Sequence, residues 1–234
     1  MSSWADLRQV VLASTDPERV AGELRTHLGL GAGFGDPELA EHGIADDTMA
    51  VGASTYLEVV SPLTDDHPLA HWLARQGGSA GYLLSIQVSD IEACLARCAA
   101  DGIRTTHTQL VQGHRIAQLH PGDMAINAEI DGIAERGTWF WDALPVDRRA
   151  DALVDDIVAV DVAVDDPTAV SGRWARVLGL SLDDASTVHL GARVVRFVPR
   201  VDRKGICRVE LRAVDRATGP GTTFMSAGIE FALV

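Results

Sequence analysis

Apolar and polar positions along this chain follow one arrangement that recurs about every 75 residues, first with strand character and then with helical spacing. Leu7 to Ala13 reads as a strand, and Ser14-Thr15-Asp16-Pro17 leads into a helix that stops at Leu28-Gly29-Leu30. Tyr82 to Val88 repeats the strand, followed by Ser89-Asp90 and a helix that ends near Asp101-Gly102. Ile157 to Val164 is the third copy, with Asp165-Asp166-Pro167 and a helix that ends at Leu178-Gly179-Leu180. The helical stripes are Val20, Leu24 and Leu28, then Ile91, Cys94, Leu95 and Cys98, then Val170, Trp174, Val177 and Leu178. Thr15 with Glu18, and Ser89 with Glu92, have capping-box spacing, and an Asp cap precedes Pro167 in the third copy.

Strands are expected after each helix. Thr48 to Val51 and Thr55 to Val60 flank Gly52-Ala53-Ser54, and Val188 to Leu190 and Val194 to Val198 flank Gly191-Ala192-Arg193. Arg115 to Leu119 and Met124 to Ile130 flank His120-Pro121-Gly122-Asp123, read as a hairpin turn. Further strands are expected at Ile206 to Ala213 and Gly228 to Leu233, with a short helix at Pro68 to Gln76. Residues 137–150 read as a connection between halves. The first half, 1–140, would hold modules at 7–62 and 80–131. The second, 151–234, would hold a shortened third unit and a stub of a fourth. The expected class is α+β: paired βαβββ modules forming curved mixed sheets around a cleft, with the second half degenerate.

Strand alternation assigns the faces. Val10 and Leu12, Leu57 and Val59, and Leu84, Ile86 and Val88 would pack on helices. That leaves Gln9, Val11 and Ala13, then Tyr56, Glu58 and Val60, then Leu83, Ser85 and Gln87 on the opposite side. In the strand near 124–131, Asn127, Glu129 and Asp131 share the polar face.

Charge narrows the partners. The formal net charge of −13 over 234 residues argues against nucleic acid or an anionic membrane surface, both of which require clustered Lys and Arg. No secretory signal or bilayer-length apolar run is visible, and three cysteines fit reduced thiols in a cytoplasmic protein. The chain also lacks a nucleophile elbow, a phosphate-cradling Gly-Lys-Ser/Thr loop and a dinucleotide glycine fingerprint after a strand. Gly29 to Gly35 is glycine-rich but follows a helix, so it reads as a helix stop and loop.

Gln9-Val-Val-Leu-Ala13, Thr55-Tyr-Leu-Glu-Val-Val-Ser-Pro62, Ile86-Gln-Val-Ser-Asp-Ile-Glu-Ala93 and Leu119-His-Pro-Gly-Asp123 resemble the vicinal oxygen chelate superfamily, which includes glyoxalase I, methylmalonyl-CoA epimerase, extradiol dioxygenases and bleomycin-resistance proteins. The resemblance spans the chain and is stronger in the first half. It implies one metal ligand from each of four strands, at Gln9, Glu58, Leu83 and Asn127, with Glu129 in the last place after a one-step change of register. Leu83 has no donor, so the family metal site is expected to be disabled; if an ion binds, Gln9, Glu58, Asn127 or His120 would hold it. In the second half Ala159, Arg196 and Val209 stand at the equivalent positions, and Arg196 is expected to pair with a carboxylate. Histidines 107, 114 and 120 read as two solvated loop residues and a turn residue, against one of them serving as acid or base. His27, His42, His67, His71 and His189 read as surface residues. Trp72, Trp139, Phe140 and Trp141 read as packing ahead of pocket lining.

Two function classes stay open. One is a binding protein that holds a small organic molecule through Gln9, Tyr56, Ser85, Gln87, Asn127 and Glu129, with no cofactor. The other is an enzyme with Glu58 as base or as ligand to a divalent metal, acting as a lyase, isomerase or dioxygenase. The expected partner is a small-molecule ligand or substrate, and the chain a monomer or homodimer.

Overall fold

The computed structural model describes residues 3–140, 147, 149–182, 184–215 and 220–234. The first module comprises β1 (Ala5–Ser14), α1 (Pro17–Leu28), the short α2 (Pro37–Glu41), β2 (Ile44–Ala50) and β3 (Tyr56–Pro62). A helix, α3 (Pro68–Gln76), leads to the second: β4 (Ser79–Val88), α4 (Ile91–Ala100), β5 (Thr105–Val111), β6 (His114–Leu119), the one-turn α5 (Pro121–Met124) and β7 (Asn127–Asp131). The third contains β8 (Val154–Val164), α6 (Pro167–Leu178), β9 (Thr187–Leu190) and β10 (Arg193–Pro199). The fourth contains β11 (Gly205–Ala213), β12 (Thr223–Ser226) and β13 (Ile229–Leu233), with no helix among the described residues. The fold is α+β, with one mixed sheet of seven strands (β1 to β7) and one of six (β8 to β13). Among the described residues, only the second module has the full βαβββ complement. In the first, the missing strand is reduced to a bridge between Phe34 and Thr48. No helix among the described residues is long and apolar enough to cross a membrane.

The first two helix starts fall one residue beyond the expected Thr15 and Ser89 boxes, and the third is the expected Asp cap before Pro167. Asp16, Asp90 and Asp166 are the N-caps, and their carboxylates accept the N–H groups of Arg19, Ala93 and Ala169 at 3.2, 3.0 and 2.9 Å. Ser89 instead accepts the Trp4 N–H at 3.1 Å. A carboxylate is the stronger acceptor for an orphan N–H, and it also meets the positive end of the helix dipole. Gly29 closes α1 as expected, in the left-handed conformation (φ 66°) with its N–H on the Arg25 carbonyl. The His120-Pro121-Gly122-Asp123 turn is α5 rather than a hairpin, and β7 starts at Asn127, three residues later than expected. Proline at the first helical position and the His120 cap favour that turn of helix. Residues 105–111, with His107 expected as a loop residue, form β5. Leu95 lies beside the buried stripe of Ile91, Cys94 and Cys98 rather than within it.

The chain divides into two compact units, and β1, β4, β8 and β11 each run from one into the other. One unit comprises 9–82, 141–157 and 208–234. Within it β3 lies between β2 and β1, and β13 between β12 and β11. Val10, Leu12, Leu57 and Val59 pack with Val20, Leu24 and Leu28 of α1, all fully buried. The other unit comprises 1–8, 83–140 and 158–207. It contains β4-β7-β6-β5 and β8-β10-β9 in those orders. Its largest sealed side chain is Trp174 of α6, which packs on Phe197 and donates its indole N–H to the Met124 carbonyl at 2.9 Å. Trp139 and Phe140 pack on each other in this unit and are buried, whereas Trp72 of the first unit meets Tyr82 edge-on. Trp141 lies outside the described residues, as do 142–146 and 148 of the 137–150 connection.

Candidate functional site: two polar strand faces

In the unit built on β1 to β3, parallel pairing sets Gln9 opposite Tyr56 and Val11 opposite Glu58. Parity therefore keeps Gln9, Tyr56 and Glu58 on one face, and the Gln9 amide donates to the Glu58 carboxylate at 3.1 Å. Both are buried, at 6% and 8% exposure, and Tyr56 is sealed. Across the antiparallel pair with β2, Thr48 stands opposite Glu58 and is buried with it. One amide and one carboxylate thus share a face with Tyr56 and Thr48, bordered by Val11, Ala13 and Val60.

In the other unit a polar row crosses four strands. Ser85 of β4 is paired with Glu129 of β7, Glu129 with Gln118 of β6, and Gln118 with His107 of β5. Gln118 Nε2 donates to Glu129 Oε2 at 2.9 Å. One step along β7, Asp131 accepts the Ser85 hydroxyl on Oδ2 at 2.6 Å. Its Oδ1 is buried without a hydrogen-bond partner, and the residue is 0% exposed. Burial foremost, and then the charge of Glu129, push the Asp131 carboxyl well above the usual carboxylate range, against the hydrogen bonds from Ser85 and the Ile86 backbone. Burial also raises Glu129, opposed by the Gln118 hydrogen bond and by His107. Glu129 nevertheless keeps accessible surface while protein surrounds it closely, so it is a reachable acid and Asp131 a sealed one.

Gln87 and Asn127 lie on neighbouring strands of the same sheet. The Gln87 amide donates to the carbonyls of Ile133 and Glu135 at 2.8 and 3.0 Å, and its oxygen accepts Arg8 Nε at 2.8 Å. Arg8 in turn stacks over Trp139. Gln87 is therefore a clamp on 133–135, used at both ends. Asn127, opposite Leu83, is half-buried.

The histidines occupy strands and caps. His107 lies on β5 and His114 on β6, the latter edge-on to Phe140, so neither is a loop residue. His120 bonds its own turn as expected: Nδ1 accepts the Gly122 N–H at 3.0 Å, with the Arg104 guanidinium also 3.0 Å away. Of those read as surface residues, His67 caps α3 through Nδ1 and His27 stacks on Phe224. In the second half, Arg196 pairs with Asp161 across β10 and β8.

These donors do not fit a divalent ion. Among the described residues no group of three or more His, Cys, Asp or Glu side chains is arranged to hold one. Of the positions implied by resemblance, Leu83 is a hydrocarbon, Gln9 turns its N–H toward Glu58, and His120 has a cationic neighbour.

The Ser85–Glu129–Gln118–His107 row is not visible as a unit in the sequence. Most of β5 is exposed on both faces, so hydrophobic alternation gives it no signal. The available clue is the parity of polar residues, with Gln118 in step with His107 and Glu129 once hairpin registers are assumed.

No family model matches the chain, and no curated protein matches it in sequence. Solved structures of similar fold include methylmalonyl-CoA epimerase from Mycobacterium tuberculosis, at 24% identity over 56% of this chain and 89% of that one, with a TM-score of 0.48. A selenomethionine methylmalonyl-CoA epimerase matches at 22% identity over 58% and 99%, with a TM-score of 0.49. The hypothetical protein BH1468 from Bacillus halodurans C-125 matches at 20% identity over 56% and 96%, with a TM-score of 0.49. These matches are likenesses of fold and carry no activity with them. By its own element order, repeated β-α-β-β modules with one further strand in the second, the chain has an α+β fold of paired modules on two mixed sheets.

Proposed function

We propose that the protein is a glyoxalase-like binder of a small organic molecule, taken up through its oxygens by polar strand faces of the first half and without a bound metal ion. The observation that carries this reading is Glu129, a half-buried acid that protein surrounds closely and that stays reachable beside Gln118, Asn127 and His107. A carboxyl raised by burial exchanges hydrogen bonds with hydroxyl or carbonyl oxygens more readily than a solvated carboxylate does. Gln118, Asn127 and His107 would supply neighbouring polar contacts, and Gln9, Tyr56 and Glu58 a second set in the other unit. Ser85 and Gln87 act from behind, by fixing Asp131 and the 133–135 segment. Three cysteines held outside disulfides suit a cytoplasmic location.

The enzymatic alternative has its own support. A carboxyl whose proton affinity burial raises, as at Glu129, is suited to taking a proton from carbon beside a carbonyl, and the buried Glu58 is the other candidate base. A thermal-shift and calorimetric screen with small oxo- and hydroxy-acids and aromatic natural products tests binding. Glu129→Gln is expected to weaken a hit at least tenfold, and Glu58→Gln tests the second set. Solvent-deuterium exchange into a bound carbonyl compound, lost in either variant, would establish the enzymatic reading. Binding that survives both substitutions unchanged would remove these faces from the site.

A further inference from the structure

Away from these faces, in the unit built on β1 to β3, the segment before α2 is fastened to β2. Phe34 and Thr48 exchange both backbone hydrogen bonds, at 3.1 and 2.8 Å. Asp46 Oδ1 accepts the Asp36 N–H at 2.8 Å, and Oδ2 accepts the Thr48 hydroxyl at 3.3 Å. Asp36 in turn caps α2 by accepting the Glu38 N–H at 2.9 Å. The chain lies close here, and a side chain on Gly35 would bring its Cβ within 3.2 Å of the Asp46 carbonyl oxygen. The fastening therefore runs from β2 through Asp46 and Asp36 into the first turn of α2.

The charges around Asp46 are mostly of its own sign. Asp36 faces it from the segment before α2, and Asp47 adjoins it on β2. Glu18 of α1 joins Asp46 and Asp47 in lining a recess of about 170 Å³ with Pro17, Ala45 and Val59. Glu38 stands in the first turn of α2. The nearby cation, Arg25 of α1, is paired with Asp47. Among the described residues no Arg, Lys or His forms an ion pair with Asp46. Closing the segment over a charged Asp46 strips water from the carboxylate and crowds it against Asp36 and Asp47. A neutral carboxyl avoids both costs and still accepts the Asp36 N–H through its carbonyl oxygen.

We infer that Asp46 is a pH-operated latch: protonated, it holds the 33–41 segment and α2 against β2, and ionised, it releases them more often. Burial is the main cause that lifts its carboxyl to about 6, with the Asp36 and Asp47 charges adding to it and the Asp36 N–H and Thr48 hydroxyl opposing it. In the open segment the group returns toward the ordinary carboxylate range. Closure is therefore favoured below that range and weakened as pH rises through about 6.

Amide hydrogen exchange between pH 4.5 and 8, corrected for the intrinsic rate, tests this on the full chain. Protection at Asp36, Glu38 and Leu39 is expected to fall about tenfold or more as pH passes through 6, with the Leu24 amide of α1 unchanged. A tenfold difference in proton affinity between the closed and open segment is a tenfold change in closure. Asp46→Asn keeps an acceptor for the Asp36 N–H and removes the charge, so its protection should be high and flat. Direct carboxyl-carbon titration of Asp46 by NMR gives a readout that does not depend on any variant folding. Flat protection in the natural chain, a dependence that persists in Asp46→Asn, or Asp46 titrating near 4 would each overturn the latch.

Discussion

At the residue scale, the two acids of β7 differ in what surrounds them more than in their chemistry. Glu129 keeps contact with solvent and has the Gln118 amide, whereas Asp131 is sealed with one oxygen unmatched. A raised carboxyl binds its proton more tightly in the folded than in the unfolded chain. The stability it lends is therefore complete below the ordinary carboxylate range and is lost as pH rises through the elevated value. Asp131→Asn should remove that loss while keeping an acceptor for Ser85. Urea midpoints at pH 5 and pH 9 are expected to lie closer together in the variant than in the natural chain, with the remaining gap due to Glu129 and Asp46. Asp46 follows the same sign, so Asp46→Asn should stabilise the chain at pH 8 by roughly 1–2 kcal/mol, discounted for its partial exposure, and by little at pH 4. Paired urea titrations at the two pH values measure it.

At the element scale, helix starts and the α6 anchor have definite energetic signatures. Asp16→Ala should cost about 1 kcal/mol, because the Arg19 N–H loses its acceptor, whereas Thr15→Ala should cost under about 0.5 kcal/mol. Comparable losses at both positions in denaturant unfolding would return the cap to Thr15. Trp174→Ala should cost about 3–5 kcal/mol, and Trp174→Phe less, with the Met124 carbonyl left without its donor. The caps fall one residue beyond the expected boxes because Thr15-Asp16 and Ser89-Asp90 each offer two competent side chains in succession, and backbone direction chooses between them. By contrast, α2 does carry a local signal, the Asp36 cap followed by Pro37, but five residues are too few to show an apolar stripe beside it.

At the scale of the whole molecule, the absence of a fitting donor set among the described residues predicts the metal content. Protein purified without chelator should contain far less than one equivalent of Zn²⁺, Ni²⁺ or Fe²⁺ by elemental analysis, and chelator should leave its melting temperature unchanged. A stoichiometric ion whose removal lowers the melting point would refute this. The repeated modules, the three helical stripes and the shared face of Gln9, Tyr56 and Glu58 are legible in the sequence alone. They depend on periods of 3.6 and 2 that each segment carries within itself, and parallel pairing preserves parity between strands. Tertiary structure alone decided that Asp131 is sealed while Glu129 stays reachable, that Gln87 is used up on 133–135, and that Asp46 is half-buried among like charges. Those outcomes depend on dehydration and on partners as far as 79 residues away in the chain, which a segment's own pattern of apolar and polar positions does not encode.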